Sequence, residues 1–141
     1  EFICEELEER YFEQQREWVY QTDKAWDAIH RCLAGGQLLY ATGPIPLRYA
    51  VLGGEPLDAG EDYTACLVQP EQARELSLAL AEVTREWLEP RYQALAQTDY
   101  VDAVPLSAED FEYTWSALAG LPAFFAKAAA AGRAVLFTTD A

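Results

Sequence analysis

At 141 residues and 51 % apolar, with four Trp, six Phe and eight Tyr, the chain is sized for one domain with a real core, which excludes the disordered class. A formal net charge of −14 argues against a nucleic-acid partner, because phosphate binding requires clustered Lys and Arg. No apolar run is long enough to cross a bilayer and no charged-then-apolar leader is seen, so neither a membrane span nor a signal peptide is expected.

The chain starts at Glu1 and contains no Met, so the natural start is expected to lie upstream. Cys4, Cys32 and Cys66 are odd in number and widely spaced, which suits neither a disulfide framework nor a Cys-x-x-Cys metal site. Buried free thiols in a reducing cytoplasm are the expectation.

Residues 1–18 hold seven Glu against Arg10 and Arg16, with Ile3, Leu7 and Tyr11 spaced by four, which predicts a helix with a narrow apolar stripe. Thr22 then caps a second helix, Asp23 favours the positive end of its dipole, Trp26, Ile29 and Leu33 form its buried face, and Gly35 and Gly36 end it. Residues 35–62 read as a long Gly- and Pro-rich loop with apolar patches at 38–40 and 49–52, the first place to look for a site. Thr64–Val68 reads as a strand. Pro70 opens a helix with Ala73, Leu76, Leu80, Val83 and Trp87 on one face, broken or restarted at Pro90.

Ser107 with Asp110 three residues on predicts a capped helix carrying Phe111, Trp115 and Leu118. Gly120 and Pro122 interrupt it, and it restarts with Phe124, Phe125 and Ala128 inward. Gly132 closes that helix and 133–139 reads as a final strand.

Asp23-Lys24-Ala25-Trp26 with Ile29-His30 and Leu33 comes first. Ala50-Val51-Leu52-Gly53-Gly54-Glu55-Pro56-Leu57 follows, then a helix pair, and Gly132-Arg133-Ala134-Val135-Leu136 closes the series. In this order they resemble the YfbM-like family of small bacterial proteins over 20–138. The resemblance implies an α+β fold, a small sheet packed by several helices in a single domain spanning 1–141. It implies no reaction, since that family is of unknown function.

His30 is the only histidine and lies beside the apolar face of its helix. One reading makes it a general base oriented by Asp23 or Asp27; the other makes it a buried residue tying the long loop to the helix. Asp23, Lys24 and Trp26 are read as holding the second helix against the Gly53–Pro56 turn. Gly53-Gly54 is no phosphate loop, since no Lys or Ser/Thr follows at the required spacing and Glu55 and Asp58 would repel phosphate.

Two stretches concentrate acid. Glu55, Asp58, Glu61 and Asp62 crowd the end of the long loop, and Asp99, Asp102, Glu109, Asp110 and Glu112 lie in 92–126, which lacks Lys and Arg. These nine residues are the expected partner-binding set, with a solvated acidic face and a calcium loop as the alternatives. The loop acids lack the ligand alternation and central Gly of an EF-hand, so no metal or other cofactor is expected. Tyr11, Trp18, Tyr20, Tyr40, Tyr49, Tyr63, Tyr100 and Tyr113 supply ring anchors with a polar handle near acids, although most are expected in the core or at its edge.

Charge without a catalytic constellation points to a non-enzymatic domain that binds a basic protein, such as an immunity or inhibitor protein neutralising a cationic toxin. A small hydrolase or transferase built on His30, Asp23 and Glu55 is the alternative.

Overall fold

The computed structural model describes residues 6, 9–11, 13, 15–36, 43–58, 60 and 63–139. Ile3, Cys4, Leu7, Glu61, Asp62 and the patch at 38–40, all singled out above, lie outside them. The fold is α+β, a three-stranded antiparallel sheet packed by several helices.

Residues 6, 9–11 and 13 are helical and a 3-10 turn spans Arg16–Trp18, within the predicted first helix. A 3-10 turn at Asp23–Ala25 leads directly into α1, Trp26–Ala34. The expected Thr22 cap is not made by its side chain; instead the Ala25 N–H bonds the Thr22 carbonyl at 2.9 Å. Asp23 takes φ 49°, a left-handed conformation that its short polar side chain tolerates. At the far end Gly35, φ 94°, closes α1 as predicted.

α1 is buried nearly all round from Ala28 to Ala34, so His30 and Arg31, the polar residues in that stretch, must be satisfied inside the protein.

The long loop is more structured than predicted. It contains a 3-10 turn at Leu47–Ala50 and β1, Glu55–Leu57, which pairs with β2, Thr64–Val68. Glu55 and Pro56 disfavour strand by composition, and only pairing with β2 makes β1 one. Gly53 and Gly54 let this bend pass close to backbone: a Cβ on Gly53 would collide with the Arg48 carbonyl, and one on Gly54 would sit 2.6 Å from the Leu67 carbonyl oxygen.

α2, Pro70–Ala81, starts at its predicted proline. The break comes at 82–84 rather than at Pro90, because Thr84 caps a new helix, α3, Arg85–Gln93, accepting the Trp87 N–H at 3.1 Å. Pro90 sits inside α3, and both it and Glu86, whose carbonyl it deprives of a donor, are exposed. After a 3-10 turn at Ala94–Gln97 come α4, Tyr100–Ala103, then α5, Ala108–Ala119, and α6, Leu121–Ala130, divided at Gly120 as predicted.

β3, Val135–Thr139, returns to pair with β2, so the sheet order is β1-β2-β3 with β3 opposite β1. The register places Phe137 across from Cys66, and Val135 and Phe137 pack on the helical core. Leu136 points the other way, against Ala65 and Tyr63. α2 lies along α6 in the most extensive helix pairing, and Ile29, Leu76, Leu80, Leu88, Leu118 and Phe125 fill the space between helices and sheet.

Candidate functional site

The segment 17–26 is strapped across α5, α6 and β3 by tyrosine hydroxyls, by cations over a ring and by ring packing. Trp18 lies under two cations, Lys127 Nζ at 4.4 Å and the Arg133 guanidinium at 4.0 Å from its ring centre. Lys127 also donates to the Glu17 carbonyl at 2.5 Å. The Tyr20 hydroxyl donates to the Ala117 carbonyl at 2.5 Å, and its ring packs on Phe124. That ring explains Gly120, where a Cβ would lie 2.7 Å from Tyr20 Cε1. The Tyr113 hydroxyl donates to Asp23 Oδ2 at 2.7 Å and accepts the Lys24 N–H at 2.9 Å, which holds the left-handed Asp23 in place.

Between this strap and β3 runs a cleft of about 890 Å3, within the size range of ligand sites. Its walls are mostly aromatic and aliphatic, with Trp18, Tyr20, Trp26, Phe124 and Phe137 prominent and Asp23 and Arg133 as the charged groups. Trp26 meets Phe137 with ring centres 5.9 Å apart.

A second cluster joins α1, α3, α4 and α5. Arg31, buried on α1, donates through Nε to Asp27 Oδ1 and through Nη1 to Asp99 Oδ1, each at 2.6 Å, and lies over the Tyr100 ring. Asp110 Oδ2 accepts both the Tyr92 hydroxyl at 2.6 Å and the Tyr100 hydroxyl at 2.8 Å. Burial, then the hydrogen bond to Asp110, pushes the Tyr92 phenol up to about 12, and Tyr100 moves in the same direction for the same reasons. The Arg31 guanidinium holds the Asp99 carboxyl below its ordinary range.

His30 is 1 % exposed, and its Nδ1 accepts the Leu52 N–H at 3.3 Å. The Cys66 thiol donates to the Leu52 carbonyl at 3.6 Å. Together they pin the bend before β1 onto α1 and β2. Burial raises the thiols of Cys32 to about 12 and Cys66 to about 11, so both are protonated and unreactive at neutral pH.

A family model for a domain of unknown function, DUF1877, matches residues 1–138. The chain belongs to the DUF1877 family. No curated protein and no solved structure matches it.

In this DUF1877 chain the predicted acids divide by what they touch. Asp99 is bound to Arg31, Asp110 to two tyrosines, and Glu112 to both Nη groups of Arg85. Asp110 also follows the predicted cap in part: its N–H bonds Ser107 Oγ at 3.0 Å, while its carboxylate turns inward instead of back to the Ser107 N–H. Asp102 and Glu109 are exposed near these groups, and Glu55 and Asp58 are exposed at the β1 edge. Asp58 Oδ1 accepts the Gly60 N–H at 3.2 Å.

His30 is not presented to a solute, and its bond from the Leu52 N–H ties the long loop to the helix. Among the described residues no group of three or more His, Cys, Asp or Glu is placed to hold a metal ion, and no helix is long and apolar enough to cross a membrane. Sequence reasoning missed the cleft. Its one-dimensional signal, Trp18, Tyr20 and Trp26 following an acidic segment, reads equally well as core.

Proposed function

We propose that this chain is a YfbM-like, non-enzymatic binding domain of the cytoplasm whose exposed carboxylates take a basic protein partner, in the manner of an immunity or inhibitor protein acting on a cationic toxin. The observation that carries this reading is the set of carboxylates left exposed while several of the cations are engaged within the protein. Arg31 and Arg85 are committed to the protein's own carboxylates, and Arg91, Lys127 and Arg133 lie over Trp87 or Trp18. Glu55, Asp58, Asp102 and Glu109 remain exposed on a chain of net charge −14, and their summed field favours approach of a cation and weakens with salt. Buried, protonated thiols at Cys32 and Cys66 support a reducing compartment.

The test is affinity capture from native extract at low and at high salt, with wild type beside a variant carrying Glu55→Gln, Asp58→Asn, Asp102→Asn and Glu109→Gln. The reading expects a basic protein that is retained at low salt, released at high salt and lost by the variant. Equal retention by the variant sinks it, as does recovery of no basic protein.

A further inference from the structure

Burial changes abruptly near the end of the strap. Glu17, Gln21, Asp23 and Lys24 are exposed and Trp18, Val19, Tyr20 and Thr22 are half-buried, whereas Ala25 is buried and leads into the core face of α1. Residues 19–22 have no regular structure, and a 3-10 turn stands at each end of them. Segments with few buried contacts open without global unfolding, and short 3-10 turns often mark hinges.

At the same boundary the backbone is held away from its own preference. Among the described residues Asp23 is the one non-glycine with positive φ, 49°. A left-handed turn is costly for an L-residue, and relaxation of Asp23 to negative φ would redirect the chain that precedes it. The Tyr113 hydroxyl opposes that relaxation by gripping both sides of the turn: it donates to Asp23 Oδ2 at 2.7 Å and accepts the Lys24 N–H at 2.9 Å. Tyr113 is 40 % exposed, so water competes for both bonds.

We propose that the strap is a flap over the aromatic cleft, hinged at Asp23 and latched by Tyr113, which opens as a unit while the helical core stays folded. The strap supplies Trp18, Tyr20 and Asp23 to one wall of the cleft, and Phe124, Ala128 and Phe137 belong to the other. Swinging the strap outward uncovers that second wall. Its remaining fasteners suit reversible opening: Tyr20 enters the notch left by Gly120 and bonds a backbone carbonyl, and Lys127 and Arg133 lie over the Trp18 ring. The flap stands independently of the basic-partner reading.

Native-state amide hydrogen exchange tests it. Trp18, Val19, Lys24 and Ala25 carry hydrogen-bonded amides of the strap. In low urea these should exchange together, earlier than the amides of α1 and α6 and with a much weaker urea dependence. Tyr113→Phe keeps the ring and should speed their exchange about tenfold, the equivalent of about one to two net hydrogen bonds. Asp23→Asn keeps an acceptor and a tolerance for left-handed backbone, so it should change the rate little. Asp23→Ala should match Tyr113→Phe and leave that substitution less to add in the double variant. Strap amides that exchange only with α1 and α6, at the same urea dependence, overturn the flap. Unchanged exchange in Tyr113→Phe overturns the latch, as does full additivity of Tyr113→Phe and Asp23→Ala.

Gating is read from thiol chemistry on the second wall. Ala128→Cys is made on a Cys4→Ser background and treated with a water-soluble disulfide reagent, while the buried Cys32 and Cys66 report global unfolding in the same sample. Leu121→Cys, on the same wall, repeats the measurement at a second site. The introduced thiol should react well before Cys32 and Cys66, and about tenfold faster when Tyr113→Phe is added. Reaction in step with Cys32 and Cys66 overturns gating, and so does rapid reaction that is indifferent to Tyr113→Phe.

Discussion

The Tyr92–Tyr100–Asp110 cluster and the Trp18–Tyr20–Trp26 strap are built from the same residue types and end in opposite states. Tyr92 is 0 % and Tyr100 7 % exposed, and one carboxylate satisfies both hydroxyls from a helix that also packs Phe111 against Tyr92. Across the molecule, Trp18, Tyr20 and Trp26 are half-buried and wall a cleft, held by backbone carbonyls and by cations over a ring. What separates them is whether the acid sits inside the ring cluster or outside it. Acids in the first region help build a closed structure, and the aromatic rings of the second are left with a surface to offer.

The sharpest way to break the closed cluster is Asp110→Ala. It leaves the buried Tyr100 hydroxyl without the carboxylate and the Tyr92 hydroxyl with only its longer contacts to Ser107, so a loss of about 2–3 kcal/mol is expected in urea denaturation. Asp110→Asn keeps an acceptor and should lose less. Equal losses would show that the carboxylate has a different role.

The same cluster should give way in alkali. Tyr92 has a folded pKa raised to about 12 from an ordinary 10.0, so its contribution is complete below the unfolded value and disappears as pH rises through the folded one. Phenolate absorbance should therefore show Tyr92 titrating late and together with unfolding. Early, independent titration of Tyr92 would contradict its burial.

In the open region, Tyr20→Phe removes one hydrogen bond to Ala117 and leaves the ring in place, an expected loss of about 1 kcal/mol by thermal or urea unfolding. A near-zero effect would show that ring packing on Phe124, rather than the hydroxyl, fixes the strap.

Much of this architecture was legible one residue at a time. Gly35, Pro70, Ser107 and Gly120 mark helix ends through local backbone chemistry, and Thr64–Val68 and β3 announce themselves by β-branched and aromatic composition. β1 was not legible, because Glu55 and Pro56 become strand only through pairing with Leu67 and Cys66. The helix break at 82–84 was concealed by the louder signal at Pro90. The site was legible in residue type and not in grouping. Nothing local tells Asp99 that Arg31 is its partner, or Tyr20 that Ala117 is, since these pairs are 68 and 97 residues apart.

The smallest effect should come from Asp99, and it bears on which acids belong to the free surface. Arg31 lowers the folded pKa of Asp99 below its unfolded value, so the contribution is present above the unfolded pKa and is lost as pH falls through the folded one. Asp99 is 76 % exposed, so solvent screens the pair and the gain is modest. Acidifying the wild type alone would mix this loss with relief of the −14 self-repulsion, which acts in the opposite direction. The difference between wild type and Asp99→Asn separates the two, since both proteins share almost all of the repulsion. That difference should favour the wild type at neutral pH and shrink towards zero below the ordinary carboxylate range. A difference that persists unchanged in acid would mean that Asp99 does not act as the charged partner of Arg31, and would return it to the carboxylates available for a basic protein.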